Sequence, residues 1–136
     1  MQIDFTPKQY RRLLDLVYIG NWILNSTRGP DRITDYDQVE SYLFGKCREF
    51  QMPTLAETAA GEVIPSQAFS EGGIHEAIMD YEDTVFFEIL AEELAHRDLF
   101  NAGMEYDSEE LASRMNAYIT EFEQNGITNL LVDTDL

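Results

Sequence analysis

One pair of residues has the types and the spacing of metal ligands. Glu93 and His96 are three positions apart, so on a helix their side chains would share a face, as the ligands do in helical bundles that bind two metal ions. Such bundles need this motif twice, with two further glutamates, and the sequence contains it once. The other histidine, His75, follows Glu71 by four residues. We interpret the match as chance in a glutamate-rich segment. A metal-binding or metal-dependent enzyme using Glu93 and His96, with His75 as a further weak candidate, is kept as an alternative.

The spacing of the two histidines limits that alternative. If residues 74–100 form one straight helix, His75 and His96 lie roughly 32 Å apart, at about 1.5 Å per residue, and cannot share an ion. A two-histidine site would need a hairpin near Asp83, where no Gly or Pro demands a break. We therefore expect no bound metal and no cofactor.

Other side chains that could do chemistry fit structural roles better. Cys47 falls in an apolar stripe, where a free cysteine is usually a small buried hydrophobe. Trp22 belongs to an apolar helix, so we expect it in the core. Two Asp-x-Asp pairs, at 35–37 and 133–135, lack the glycine and the distant glutamate of a calcium-binding EF-hand loop. Phosphate-binding glycine loops, nucleophile elbows and zinc spacings are missing, so no catalytic residue is predicted.

Negative charge is concentrated in the later part of the chain. The formal net charge is −17, yet residues 1–48 carry seven basic and six acidic groups, and the remainder carries two basic and twenty acidic groups. Such a field repels phosphate backbones and anionic lipid, which excludes ordinary nucleic-acid and membrane binding. It would attract a basic protein, or it serves only as a solubilising surface.

Length and composition predict one folded domain. The chain has 136 residues, of which 44% are hydrophobic, enough for a single core. We expect a helical domain over 1–126 and a C-terminal arm or tail over 127–136. One cysteine cannot form an internal disulfide, no basic and apolar leader opens the sequence, and no apolar run approaches the roughly 20 residues of a membrane span. We therefore expect a cytoplasmic protein, for which a homo-oligomer is an open alternative.

The first half of the sequence predicts a pair of antiparallel helices. Thr6, Pro7 and Gln9 have the pattern of a capping box, so the first helix should run from residue 7 to about residue 28 and contribute most of its C-terminal half to the core. The second helix should follow from Thr34 or Asp35. Apolar residues at spacings of three and four predict that it buries one stripe, formed by Tyr36, Val39, Leu43, Cys47 and Phe50.

The second half alternates between loop and helix. Residues 51–73 read as one long irregular loop, because Pro and Gly interrupt them, with a short helix around 55–60 and irregular or briefly extended chain over 62–69. A long helix is predicted over 74–100, with an apolar face that includes Phe86 and Ile89. The last helix should begin after Asp107, with Glu110 completing a capping box, and end at residues 125–126. The fold class is therefore mainly α, a compact helical bundle of four or five principal helices.

The opening segment carries a resemblance. Residues 4–25, DFTPKQYRRLLDLVYIGNWILN, are similar to the start of small bacterial proteins that have no assigned activity. The resemblance covers the first quarter of the chain and brings no catalytic motif. It implies a bacterial or phage cytosolic origin.

The preferred hypothesis is a non-enzymatic helical protein that acts through protein-protein contact. The acidic C-terminal region or the long loop would form the contact surface, with Glu82, Asp83, Glu92 and Glu93 as the predicted contacts of a basic partner. Besides the metal-dependent enzyme, a third hypothesis is an acidic mimic of DNA that occupies a nucleic-acid-binding protein. Such a mimic would space its carboxylates like phosphates.

Overall fold

The computed structural model describes residues 1–134, and its internal contacts divide into two compact units. The first unit is Met1–Ile78, and the second begins at Met79. The principal helices are α1 (Pro7–Asn25), α2 (Thr34–Phe44), α4 (His75–Ala102) and α5 (Ser108–Asn125), and a short helix, α3, covers Gln67–Phe69. This confirms the mainly α fold class with four principal helices. That residues 1–126 form a single domain stays a prediction.

The N-terminus of α1 is capped as its sequence predicts. The Thr6 hydroxyl accepts a hydrogen bond from the Gln9 backbone N–H at 3.2 Å, and the Gln9 side chain accepts one from the Thr6 N–H at 3.0 Å. Pro7 occupies the first turn, where its missing N–H costs nothing. The helix ends at Asn25, three residues before the predicted end.

The prediction that Trp22 is buried is wrong. Its side chain is 37% exposed, and Leu16 and Ile23 are more exposed still. The same part of α1 instead buries two polar residues, Asn21 and Asn25. The Asn25 side chain is buried because it hydrogen-bonds the backbone of Ile33. Its Oδ1 accepts from the Ile33 N–H at 2.8 Å, and its Nδ2 donates to the Ile33 carbonyl at 3.0 Å. Nδ2 also donates to Asn21 Oδ1 at 2.7 Å. Asn21 and Asn25, whose polar groups are hydrogen-bonded, therefore occupy the buried positions in this part of α1.

The predicted stripe of α2 is correct only at its C-terminal end. Cys47 is buried as predicted, whereas Tyr36 and Val39 are exposed. The helix stops at Phe44, which is fully buried, and residues 45–51 continue as turns. Those turns carry Cys47 into the core, so its burial does not follow from helical periodicity.

The segment expected to be one irregular loop contains a β-hairpin. Strands β1 (Ala56–Ala59) and β2 (Glu62–Pro65) pair antiparallel, with Ala59 opposite Glu62. Ala60 and Gly61 form the turn, with φ of +51° and +80°. Glycine adopts a positive φ without strain, which suits position 61. The short helix expected around 55–60 is therefore wrong, because strand pairing takes most of those residues.

Half of the core residues of the first unit are aromatic. The core consists of six buried residues, namely Tyr10, Leu14, Phe44, Cys47, Phe69 and Ile74. The Tyr10 ring stacks on Phe50 with 3.9 Å between centroids, and its hydroxyl donates to the Leu43 carbonyl at 2.6 Å. Phe44 packs edge-on against Phe69 at 4.9 Å. Contacts between α1, α2 and the α3 segment thus fix the first unit.

The long helix α4 is unbroken from His75 to Ala102, so the alternative of a hairpin near Asp83 is wrong. Asp107 caps α5 by accepting a hydrogen bond from the Glu110 N–H at 3.0 Å. After Asn125, residues 126–129 form turns, and residues 130–134 have no regular secondary structure. The end of the expected tail, Asp135 and Leu136, lies outside the described residues. No helix of residues 1–134 is long and apolar enough to cross a membrane.

Candidate functional site

The two histidines have separate surroundings. His96 is exposed on α4, and its Nε2 lies 3.7 Å from a carboxylate oxygen of Glu92 rather than beside Glu93. His75 belongs to the first unit, where its Nε2 is 2.6 Å from the Tyr18 hydroxyl and its ring meets Trp22 edge-on at 4.8 Å. Among residues 1–134 no group of three or more His, Cys, Asp or Glu side chains could hold a metal ion.

The four predicted partner contacts are all exposed on α4, although they do not share one face. Glu82 and Glu93 are 11 residues apart in sequence, close to three whole turns, and therefore point the same way. Asp83 and Glu92 point to opposite sides of that direction, each about 100° around the helix from its sequence neighbour Glu82 or Glu93. Glu82 and Glu93 thus lie in one row along α4, and Asp83 and Glu92 lie on either side of that row.

Large apolar side chains stand in the same row. Phe86 is 52% exposed, Ile89 53% and Phe100 70%. The order Glu82, Phe86, Ile89, Glu93 and Phe100 uses steps of three, four and seven, which keep side chains on one helix face. We call these five residues the outer face of α4. The apolar face predicted for this helix is exposed at Phe86 and Ile89, since the same spacing describes a buried stripe and an exposed one.

The side of α4 roughly opposite the outer face packs against α5. Phe87 lies 5.5 Å from Phe122 between ring centroids, and Asp98 accepts a hydrogen bond from the Tyr118 hydroxyl. Ala91, which is fully buried, falls on the same side as Phe87, one turn later. Ile89 and Glu93 are each two residues from Ala91, a rotation of roughly 200°. Packing against α5 therefore leaves the outer face uncovered by that helix.

Positive charge in the second unit gathers at one place. Arg97 Nη2 lies 2.9 Å from Asp98, and Arg114 pairs with Glu110 at 3.0 Å and approaches Asp98 at 3.9 Å. The Tyr118 hydrogen bond, followed by Arg97, lowers the pKa of Asp98. These are the two basic residues among residues 79–136, against fifteen acidic ones, so neither is left to neutralise the outer face.

A second candidate site lies within the first unit. A cavity of about 270 Å³ is lined by residues of α1, α2 and the loop between them, namely Tyr18, Asn21, Trp22, Asn25, Ser26, Arg32 and Glu40. A neighbouring cavity of about 360 Å³ also reaches β2 and shares Tyr18, Arg32 and Glu40 with the first. We call the two cavities together the polar groove.

The charges of the polar groove are unequally paired. Arg32 binds Asp37 through two hydrogen bonds, Nε to Oδ2 at 2.7 Å and Nη2 to Oδ1 at 2.6 Å, and Asn21 donates to Asp37 at 3.0 Å. The Arg32 hydrogen bonds are the main reason that the pKa of Asp37 is lowered. Burial raises the pKa of Glu40. No ion pair among residues 1–134 includes Glu40.

Sequence reasoning missed the polar groove. The available signal was two asparagines one turn apart, Asn21 and Asn25, in the most apolar part of the chain. Polar side chains at such positions are buried only with hydrogen-bond partners, so they mark a place where α1 meets polar groups.

Comparison of this chain with protein-family models, with curated proteins and with solved structures found no match.

Proposed function

We propose that this protein acts through contact with another protein, without catalysing a reaction, and that the outer face of α4 is the contact surface. The observation that supports this proposal is the mixture of side chains on that face. Phe86 and Ile89 are each more than half exposed, and contiguous exposed apolar side chains with a polar rim are typical of protein-binding surfaces.

The charge of the surface indicates the chemistry of the partner. Glu82 and Glu93 bracket the apolar pair, and Asp83 and Glu92 extend the negative field on both sides. A basic amphipathic helix fits such a surface, because its apolar stripe would cover Phe86 and Ile89 while its Lys and Arg side chains meet the carboxylates. A second copy of this chain fits less well, since it would place like charges opposite each other.

The compartment that goes with this proposal is the cytoplasm. Cys47 is a free, buried thiol, and unpaired cysteines are typical of reducing compartments.

A designed peptide tests the contact directly. The probe is a fluorescent Leu- and Lys-rich amphipathic helix, and its control is a scrambled peptide of equal composition that has no apolar stripe. We expect the helix to bind more tightly than the scrambled peptide, measured by fluorescence anisotropy. The double variant Phe86→Ser with Ile89→Ser should weaken its binding by about tenfold or more, as loss of central apolar anchors does.

Two further measurements separate the alternatives. The matched control is Val39→Ser with Tyr42→Ser, which changes two residues of α2 that are also more than half exposed and should leave peptide binding unchanged. Equal binding of the scrambled peptide would show that charge alone attracts the probe and would contradict the proposal. Sedimentation showing a dimer that Phe86→Ser with Ile89→Ser dissociates would assign the face to a second copy, which also contradicts a basic partner.

A further inference from the structure

The polar groove combines a fixed aromatic wall with a half-buried carboxylate, Glu40. Tyr18 and Trp22 lie one turn apart on α1, with 6.4 Å between ring centroids and 19° between ring planes. His75 braces both of them, through the 2.6 Å contact with the Tyr18 hydroxyl and the edge-on packing against Trp22. Trp22 nevertheless keeps 37% of its surface exposed and lines the cavity. A braced aromatic surface therefore faces open space.

The floor of the groove is held by hydrogen bonds that leave its amides satisfied. Asn25 binds Asn21 and both polar backbone groups of Ile33, and Asn21 in turn donates to Asp37. Within residues 1–134 no buried side-chain N or O atom lacks a partner. The floor is therefore preorganised and demands no further ligand itself, so selectivity must come from the walls.

The walls favour positive charge. Asp37 already neutralises Arg32 through a two-bond contact, which is the strong geometry for this pair of groups. Glu40 is half-buried and in no ion pair among residues 1–134, and Glu62 lines the same groove. One basic residue, Arg32, against the three carboxylates of Asp37, Glu40 and Glu62 gives the groove a formal net charge of −2. The carboxylates and aromatic rings of the groove therefore favour the binding of a cation.

We infer that the polar groove binds an organic cation, a guanidinium or ammonium group, between the aromatic wall of Tyr18 and Trp22 and the carboxylate of Glu40. Aromatic faces attract such cations, and a planar guanidinium can stack on a ring while its N–H groups donate to a carboxylate. The smaller cavity, at about 270 Å³, lies just below the range of about 300–1,000 Å³ that is usual for drug-sized ligands. It suits the head group of a small molecule or one basic side chain. The groove lies wholly within residues 1–78, so this inference does not depend on the outer face of α4.

The protein carries its own reporter, because Trp22 is its single tryptophan. The experiment titrates the full chain with ethylguanidinium chloride at constant total chloride and follows Trp22 fluorescence. N-ethylurea, which is nearly the same shape and neutral, is the control ligand. We expect a saturable change with ethylguanidinium and none with N-ethylurea. Equal responses to both, or no response to the cation, would overturn the inference.

Variants locate the cation. Glu40→Gln should weaken binding by about tenfold, because it removes the charged acceptor and keeps the shape of the side chain. The matched control is Glu57→Gln, which removes an equal charge from an exposed position of β1 and should bind as the native chain does. Equal weakening by both variants would show attraction to net charge alone and would overturn the site.

A second variant keeps the test decisive if Glu40→Gln fails to fold. Trp22→Leu replaces a partly exposed ring and is read by isothermal titration calorimetry, since it lacks the fluorophore. We expect it to lose most of the ethylguanidinium binding while its circular dichroism spectrum stays native. Unchanged binding in a folded Trp22→Leu variant would remove the aromatic wall from the site and contradict the inference.

Discussion

The first unit carries seven basic and eleven acidic residues, whereas the part of the chain after Ile78 carries two basic and fifteen acidic ones. In the first unit most basic side chains pair with nearby carboxylates, as Arg32 does with Asp37. In the second, both arginines meet around Asp98. Among residues 79–134, Glu82 and Glu93 of the outer face are in no ion pair, whereas Glu92 at its flank lies beside His96.

The two units also differ in how deeply they bury their phenylalanines. Phe44 and Phe69 of the first unit are fully buried and pack against each other, whereas Phe86 and Phe100 of α4 are more than half exposed. The first unit pairs most of its basic side chains and buries an aromatic core, although it also leaves Leu16, Ile23 and Tyr42 exposed. The second unit has carboxylates and exposed apolar side chains together on one helix face. Such a face suits a partner that supplies basic and apolar side chains.

The largest expected effect contrasts two phenylalanines. Phe44→Ala empties a fully buried site and should lower the free energy of unfolding by about 3–5 kcal/mol. Phe86→Ala should change it by less than about 0.5 kcal/mol, as exposed substitutions usually do. Urea unfolding followed by Trp22 fluorescence and by far-ultraviolet circular dichroism measures both. Similar losses in the two variants would contradict the assigned burial. Coincident transitions of the two probes would support the predicted single domain.

A smaller loss is expected at the polar floor. Asn25→Ala removes the side chain that brackets the start of α2 and leaves the Ile33 N–H and carbonyl without their partner. Leaving buried polar groups unsatisfied should cost about 2 kcal/mol. Asn129→Ala is the control, because its single hydrogen bond to Glu121 is exposed and its loss should be nearly neutral. Urea midpoints of the two variants provide the comparison, and a neutral Asn25→Ala would refute the bracketing role.

The two histidines extend the contrast. His75→Ala removes the Tyr18 contact and should lower stability by about 1 kcal/mol, whereas His96→Ala should leave it unchanged. We expect adding zinc or iron to shift neither melting temperature, and elemental analysis of protein purified without a histidine tag to find no stoichiometric metal. One equivalent of tightly held metal, lost in either variant, would instead promote the enzyme hypothesis built on Glu93 and His96.

The fold was predictable where local chemistry decides it. The capping residues Thr6 and Asp107 fix the starts of α1 and α5, and the observed helices begin where those residues predict. The hairpin was not predictable in this way, because its strands have four residues each and pairing with a neighbour, rather than local pattern, selects the extended chain.

The sites were predictable only in part. Acidic residues on α4 are visible in the sequence, but the exposure of Phe86 is not, because a face that binds a partner has the same periodicity as one that binds the core. The polar groove joins Tyr18, Glu40 and Glu62, which are far apart in the chain. Only the tertiary fold brings such residues together.

Acid titration should separate carboxylates whose pKa values are shifted in opposite directions. The lowered pKa of Asp98 means that its contribution is present above the usual carboxyl pKa of about 4 and is lost as the pH falls through its folded value. The raised pKa of Glu40 has the opposite sign: its cost is present at neutral pH and is relieved as the pH falls through its folded value.

At neutral pH, Asp98→Asn should therefore be less stable than the native chain. Glu40→Gln should be more stable, by less than about 1 kcal/mol, because solvent screens a half-exposed carboxylate. Both differences should vanish in acid, and urea midpoints across the pH range measure them. A gap that stays constant with pH would show that packing rather than charge causes it.

The smallest expected effect on stability is that of salt, and it tests the acidic region as a contact surface. Residues 49–136 carry eighteen net negative charges, so many must lie within a Debye length of one another, about 10 Å at 0.1 M salt. Moderate salt should raise the melting temperature by screening like charges, and it should slow association with the basic helical peptide, because steering works through the same field. Reversal of Glu82, Asp83, Glu92 and Glu93 to lysine should stabilise the isolated chain modestly and weaken peptide binding. Stability that stays flat with salt, together with native-like peptide binding by the reversed variant, would leave the acidic region a solubilising surface and remove α4 as the contact.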